Sequence, residues 1–139
     1  MKIVIDTSVL VSALITKESD ARNVLRLALE KKIYPQLSQA LFLEYEDVTK
    51  RTKIQKLCPL SSGEQEQLVD ALLSVSTWNE IYYMWRLNLR DESDNFLIEL
   101  AVASGASHIV TYNIKDFNTS ELRFSHKVMT PEQFMKEKK

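Results

Sequence analysis

Lys2-Ile3-Val4-Ile5-Asp6-Thr7-Ser8-Val9-Leu10-Val11-Ser12-Ala13-Leu14 opens the chain and governs how the rest is read. Its first residues form a short apolar run, and the β-branched Ile3, Val4 and Ile5 suit a strand buried on both faces, as in parallel sheets. A carboxylate and two hydroxyls follow at once, side chains that accept hydrogen bonds from the free N–H groups at a helix start. The expected order is therefore strand, acid, helix. Asp6 falls at the strand's carboxyl end, where open parallel sheets gather their ligands. The plainer explanation of Asp6 alone is a helix cap.

The same alternation continues outward. Ala21, Val24, Leu25 and Ala28 recur at helical spacing and predict a helix over 20–31; Ile33–Leu37 is a second strand candidate, and Ser38 caps a helix to about Arg51. Ser61 or Ser62 opens another helix, with Glu64 completing a capping box from Ser61 and Leu68, Leu72 and Val75 as its buried stripe. Trp78–Trp85 is aromatic and expected to be partly extended. Residues 94–104 are apolar nearly all round, as for a helix covered on several sides, and Gly105 ends it. Ser107–Thr111 and Val128–Met129 read as strands, and Thr130-Pro131-Glu132-Gln133 as the start of a closing helix. Strands alternating with helices predict an α/β fold, a parallel sheet covered on both faces.

A chain of 139 residues with 45% apolar and 27% charged side chains is expected to form one soluble domain over 1–139. Two glycines and three prolines exclude collagen-like and low-complexity classes. Cys58 is the one cysteine, which excludes an internal disulfide, and His108 and His126 leave little for zinc or a histidine triad. No apolar run is long enough to span a membrane, and an acid at position 6 interrupts any signal-peptide core. The expectation is a reduced, cytoplasmic protein without membrane contact. Cys58 reads as a small buried residue, and Trp78, Tyr82, Tyr83 and Trp85 as core or dimer packing.

The net charge of −1 hides an asymmetry: ten Lys/Arg against seven Asp/Glu in residues 1–60, but two against eight in 61–99. No concentrated basic patch marks a duplex binder. A polyanion would require metal ions in an acidic pocket, flanked by Lys50, Arg51, Lys53 and Lys56; otherwise these four are a solvated helix end.

Several acids fall where core or strand ends are expected. Leu41, Glu44 and Val48 share a helix face, which draws Glu44 toward the interior; an ion pair with a nearby Arg or Lys is the alternative to metal binding. Asp94 shares a face with Leu97, Ile98 and Ala101, although an acid in a first turn also suits the helix dipole, as do Asp91 and Glu92. Asn113 and Asp116 follow a strand, where turns also favour them. Carboxylates that converge repel one another unless a cation joins them, and oxygen-only ligands suit Mg²⁺ or Mn²⁺.

Taken in order, these blocks resemble PIN domains, the family that contains VapC-type toxins. Residues 3–14 resemble the family's opening. Ser38 followed by Glu44-Tyr45 resembles its second acidic position. Asp91-Glu92-Ser93-Asp94-Asn95-Phe96-Leu97, Gly105-Ala106, Val110-Thr111, Asn113 and Asp116-Phe117 resemble the third and fourth. The resemblance implies a Rossmann-like three-layer α/β/α fold and an Mg²⁺- or Mn²⁺-dependent endoribonuclease, commonly a homodimer and, in toxins, silenced by an antitoxin. It carries the metal ligands onto Asp6, Glu44 and Asp94, and places Thr7 or Ser8 and Thr111 behind them, holding ligands or waters. Asn113 stands where many relatives have Asp, so the fourth acid is absent or supplied by Asp116. A haloacid dehalogenase-type phosphatase also starts with Asp after a buried strand but needs a second Asp where this chain has Ser8. The remaining alternative is a catalytically silent PIN-fold module acting through a protein partner.

Overall fold

The computed structural model describes residues 1–59, 61–80, 95–114 and 127–138. Among the described residues five strands form one sheet, β1 (Lys2–Ile5), β2 (Tyr34–Leu37), β3 (Thr77–Trp78), β4 (His108–Val110) and β5 (Lys127–Met129), all parallel, in the order β3-β2-β1-β4-β5. The helices are α1 (Thr7–Ile15), α2 (Asp20–Leu29), α3 (Gln39–Thr49), α4 (Thr52–Leu57), α5 (Ser62–Ser74), α6 (Asn95–Ser104) and α7 (Pro131–Lys138). Helices flank the sheet in a three-layer α/β/α fold. Among the described residues no helix is long and apolar enough to cross a membrane.

The chain builds outward from β1 to β3, then returns to lay β4 on the other side of β1. This reversal puts a topological switch point between β1 and β4, the place where parallel sheets open a crevice at their carboxyl ends. Ile3, Val4 and Ile5 are fully buried, as a central strand with both faces covered requires. Around them pack Leu10 and Leu14 of α1, Val24 and Leu25 of α2, Leu97 and Ile98 of α6, Ile109 of β4 and Phe134 of α7. Burying each of these larger side chains contributes about 1.5–3 kcal/mol before entropy is subtracted.

Local chemistry sets the element ends. Ser19, Ser38 and Ser61 each accept from a backbone N–H three residues on; Ser61 and Glu64 form a reciprocal capping box, and Thr130 and Gln133 form another before α7. Gly105 ends α6 at φ 71°, with its own N–H on Val102 and that of Ala106 on Ala101, a Schellman closure.

Two expectations need correction. The helix expected over 20–31 ends at Leu29, because Lys31 adopts φ 61° and Lys32 closes back onto Leu27; a left-handed lysine carries no sequence signal. The helix expected to reach Arg51 ends at Thr49, and the chain restarts as the six-residue α4. Lys50 and Arg51 pair with Glu46 and Asp47 one turn back on the surface, so these two behave as a solvated helix end. Cys58 is buried as expected, its thiol directed at the Leu14 carbonyl. Trp78 is 54% exposed and packs on Phe42 with the rings tilted by 55°, a surface packing rather than core. Tyr82, Tyr83, Trp85, Asp91, Glu92, Asp94, Asp116 and His126 lie outside the described residues.

Candidate active site

β1 and β4 run in the register Ile3–His108, Val4–Ile109 and Ile5–Val110, so Asp6 and Thr111 leave the two strands at the same level. The Asp6 N–H still bonds to the Val110 carbonyl at 3.0 Å. The side chains then meet: Thr111 Oγ1 donates to Asp6 Oδ2 at 2.6 Å, and Ser8 Oγ donates to the same oxygen at 2.9 Å. Thr7 N–H donates to Oδ1 at 2.7 Å, so Asp6 does cap α1. Asp6 is only 4% exposed and Thr111 is fully buried.

Counting lone pairs separates cap from ligand. An ionised carboxylate accepts about two hydrogen bonds at each oxygen. The two hydroxyls fill Oδ2, whereas Oδ1 carries one N–H and keeps one lone pair. A cap alone would need neither hydroxyl, and three donors on one buried carboxylate hold it in a single orientation. Asn113 joins through its backbone, donating N–H to Thr111 Oγ1 at 2.9 Å, while its side chain is exposed. Thr111→Val keeps the shape but removes a donor to Oδ2. We expect it to weaken Mn²⁺ binding by about 10–100-fold, as loss of a ligand's supporting partner does, measured by Mn²⁺ titration of the melting temperature.

Glu44 approaches from α3 and is half-buried. Burial raises its pKa; the Thr7 hydroxyl lowers it, the Asp6 carboxylate raises it, and Arg51 and Asp47 act more weakly in opposite directions. Asp6 and Glu44 thus sense each other's charge. No ion pair joins Glu44 among the described residues, which favours its reading as a ligand over a structural partner. Thr7 Oγ1 is buried and near enough to Glu44 to lower its pKa, yet it forms no hydrogen bond of good geometry. Such an orphaned hydroxyl next to two carboxylates fits a site completed by a hydrated cation. Among the described residues no group of three metal-type side chains forms, so Asp6 and Glu44 are two members of the expected set.

Three further residues have contacts that the sequence does not signal, although Tyr45 stands beside Glu44 in the family-like block. Tyr45 is buried, and its hydroxyl donates to the Ile5 carbonyl, tying α3 to the last residue of β1 beside Asp6. Burial, then the Asp6 and Glu44 charges, push the Tyr45 pKa well above 10.0. Glu99 is 4% exposed within α6, amid neighbours that are otherwise apolar. Tyr112, next to Thr111, donates its N–H to Ser8 Oγ at 3.2 Å. A Tyr at a helix-stripe or strand-end position looks like core from sequence, so neither tyrosine could be singled out.

A family model described as PIN domain matches residues 2–115. No curated protein sequence matches the chain. Among solved structures, the crystal structure of VapBC2 from Rickettsia felis bound to a DNA fragment from their promoter contains a similar chain, with a TM-score of 0.59 and 19% identity over 93% of this chain and 98% of that one. At that identity the likeness concerns the fold, and it agrees with the switch-point sheet. The match of the family model over most of the chain, ending just beyond the Asp6–Thr111 contact and Asn113, makes this protein a member of the PIN domain family.

Proposed function

We propose that this chain is an Mg²⁺- or Mn²⁺-dependent endoribonuclease that hydrolyses phosphodiesters of single-stranded or looped RNA, and the toxin of a toxin–antitoxin pair. The observation that carries the reading is the buried Asp6 carboxylate, held by Ser8, Thr111 and the Thr7 N–H with one lone pair to spare, and near enough to Glu44 for its charge to raise that second carboxylate's pKa. Membership of the PIN domain family supports nuclease chemistry, and the likeness to the VapBC2 chain supports a protein antitoxin as partner. We further propose a single domain over 1–139 that acts as a homodimer in the cytoplasm.

Asp6, Glu44 and Asp94 would hold the metal, with Asp116 as a further acid near it. When bound, such an ion lowers the pKa of water and neutralises charge on a phosphodiester. The chain does the rest. Thr111 and Ser8 keep Asp6 from turning; Thr7 presents a hydroxyl able to bond a water beside Glu44; and Tyr45 fixes α3, hence Glu44, against the end of β1. Preorganised groups of this kind cost no rearrangement when charge develops.

Incubation of labelled single-stranded RNA with the protein and Mn²⁺, against the same mixture with EDTA, tests the reading. We expect cleavage with Mn²⁺ and none with EDTA. A well-folded protein that cuts neither sample, yet still captures a protein partner, would instead be the catalytically silent module.

A further inference from the structure

Tyr112 has a placement that the nuclease chemistry does not explain. Its backbone N–H bonds to Ser8 Oγ, and Ser8 Oγ in turn bonds to Asp6 Oδ2, so two hydrogen bonds separate Tyr112 from the carboxylate. Its hydroxyl donates to Glu132 Oε1 at 3.2 Å in the first turn of α7 and lies 3.5 Å from Ser12 Oγ. Ser8 and Ser12 are one turn apart on α1, so the tyrosine is fixed at both ends along that helix. It is nevertheless 38% exposed, and it is not among the apolar side chains packed on the core. An aromatic ring immobilised but left open needs a different explanation from Trp78, whose ring rests on Phe42.

The surroundings limit what can lie on it. Beyond the Tyr112 hydroxyl, Glu132 also lines an open recess of about 550 Å³ with Glu18, Ser19, Asp20, Asn23 and Arg26. Three carboxylates there repel phosphate, whereas a neutral flat group meets no such penalty. A ring already held at both ends loses little freedom when another ring stacks on it, which favours stacking.

We propose that Tyr112 is a platform on which an unpaired base of the bound RNA strand stacks, beside the Asp6 carboxylate that serves the adjoining phosphodiester. The proposal rests on reading the Asp6–Glu44 site as one that takes an RNA strand. Stacking would orient the strand with its base toward α7 and its phosphate toward the two acids, and would select unpaired over duplex RNA, since a base inside a duplex has both faces covered by its stacked neighbours.

The test is binding of a labelled single-stranded oligonucleotide, with Mn²⁺, to full-length wild-type protein, read by stopped-flow fluorescence anisotropy before cleavage sets in. Base–aromatic stacking predicts that adding Tyr112→Ala weakens binding by about 5–100-fold, while Tyr112→Phe and Tyr112→Trp stay within about threefold. An oligonucleotide with abasic linkers should bind the parent and Tyr112→Ala alike. Equal affinity of the parent and Tyr112→Ala for the normal strand, or an unchanged Tyr112→Ala deficit on the abasic strand, overturns the assignment. The Phe variant guards against misfolding: a loss there equal to that of Ala assigns Tyr112 to the Glu132 contact instead and overturns stacking. Failure of both proteins to bind any RNA overturns the substrate reading and this proposal together. Tyr112-dependent, base-dependent binding by a wild type that cuts nothing would overturn only the hydrolase reading.

Discussion

Asp6→Asn is expected to lose RNA cleavage by about a thousandfold, at every Mn²⁺ concentration, while the protein remains folded. The magnitude follows from the charge a bound cation contributes, worth several kcal/mol, at about 1.4 kcal/mol per tenfold in rate. An amide keeps one oxygen, and that oxygen can still accept from Thr7 N–H and cap α1. The other position becomes NH₂, facing the Ser8 and Thr111 hydroxyls, which rotate from donating to accepting. Folding therefore tolerates the change. A bound metal would not, because the oxygen with the spare lone pair would belong to a neutral group, and raising Mn²⁺ would not restore the missing charge. Initial rates over a Mn²⁺ series, with circular dichroism and a melting curve on the same sample, check both halves. A folded Asp6→Asn protein with wild-type rates would reduce Asp6 to a cap.

The legible part of the fold was the part written in local chemistry. Ile3-Val4-Ile5 reads as a buried strand because β-branched residues in an unbroken apolar run have few other uses. Ser38, Ser61 with Glu64, Gly105 and Thr130-Pro131 mark element ends through side-chain hydrogen bonds or backbone freedom that act within three residues. Asp6 and Thr111 were visible as strand-end residues, but their contact was not. It depends on β4 pairing directly with β1 across more than one hundred residues, a fact of topology. The same applies to Tyr45, whose partner Ile5 lies forty positions away in sequence. Lys31 shows the opposite limit, since tertiary closure forced a residue without the usual freedom into a left-handed turn. Glu44 and Asp94 were readable as acids on apolar stripes and Asp116 as an acid beyond a strand end; their grouping as one set with Asp6 in family order rests on the family resemblance.

Glu44→Gln should separate the cost of gathering acids from the use made of them. The Glu44 pKa is raised above its ordinary 4.5 by burial first and by the Asp6 charge behind it, partly offset by the Thr7 hydroxyl. The native state therefore holds this proton more tightly than the unfolded chain does. In the interval above pH 4.5 the unfolded state has lost the proton while the native state retains it, so native binds more protons and stability falls as pH rises. Beyond the raised value the loss is complete and this contribution is flat. In EDTA, Glu44→Gln should remove this downward slope and melt no lower than wild type at neutral pH, since the amide bears no charge to desolvate. In Mn²⁺ the order reverses: wild type gains stability in proportion to metal occupancy of the native state, and the variant gains much less. Cleavage should drop by at least about a hundredfold, more than loss of a supporting hydroxyl costs. Melting curves from pH 4 to 8 with EDTA or Mn²⁺, beside cleavage rates, test the set. A Glu44→Gln protein that is less stable in EDTA yet keeps its full Mn²⁺ response would make Glu44 a structural carboxylate of α3 and leave the metal to the other acids.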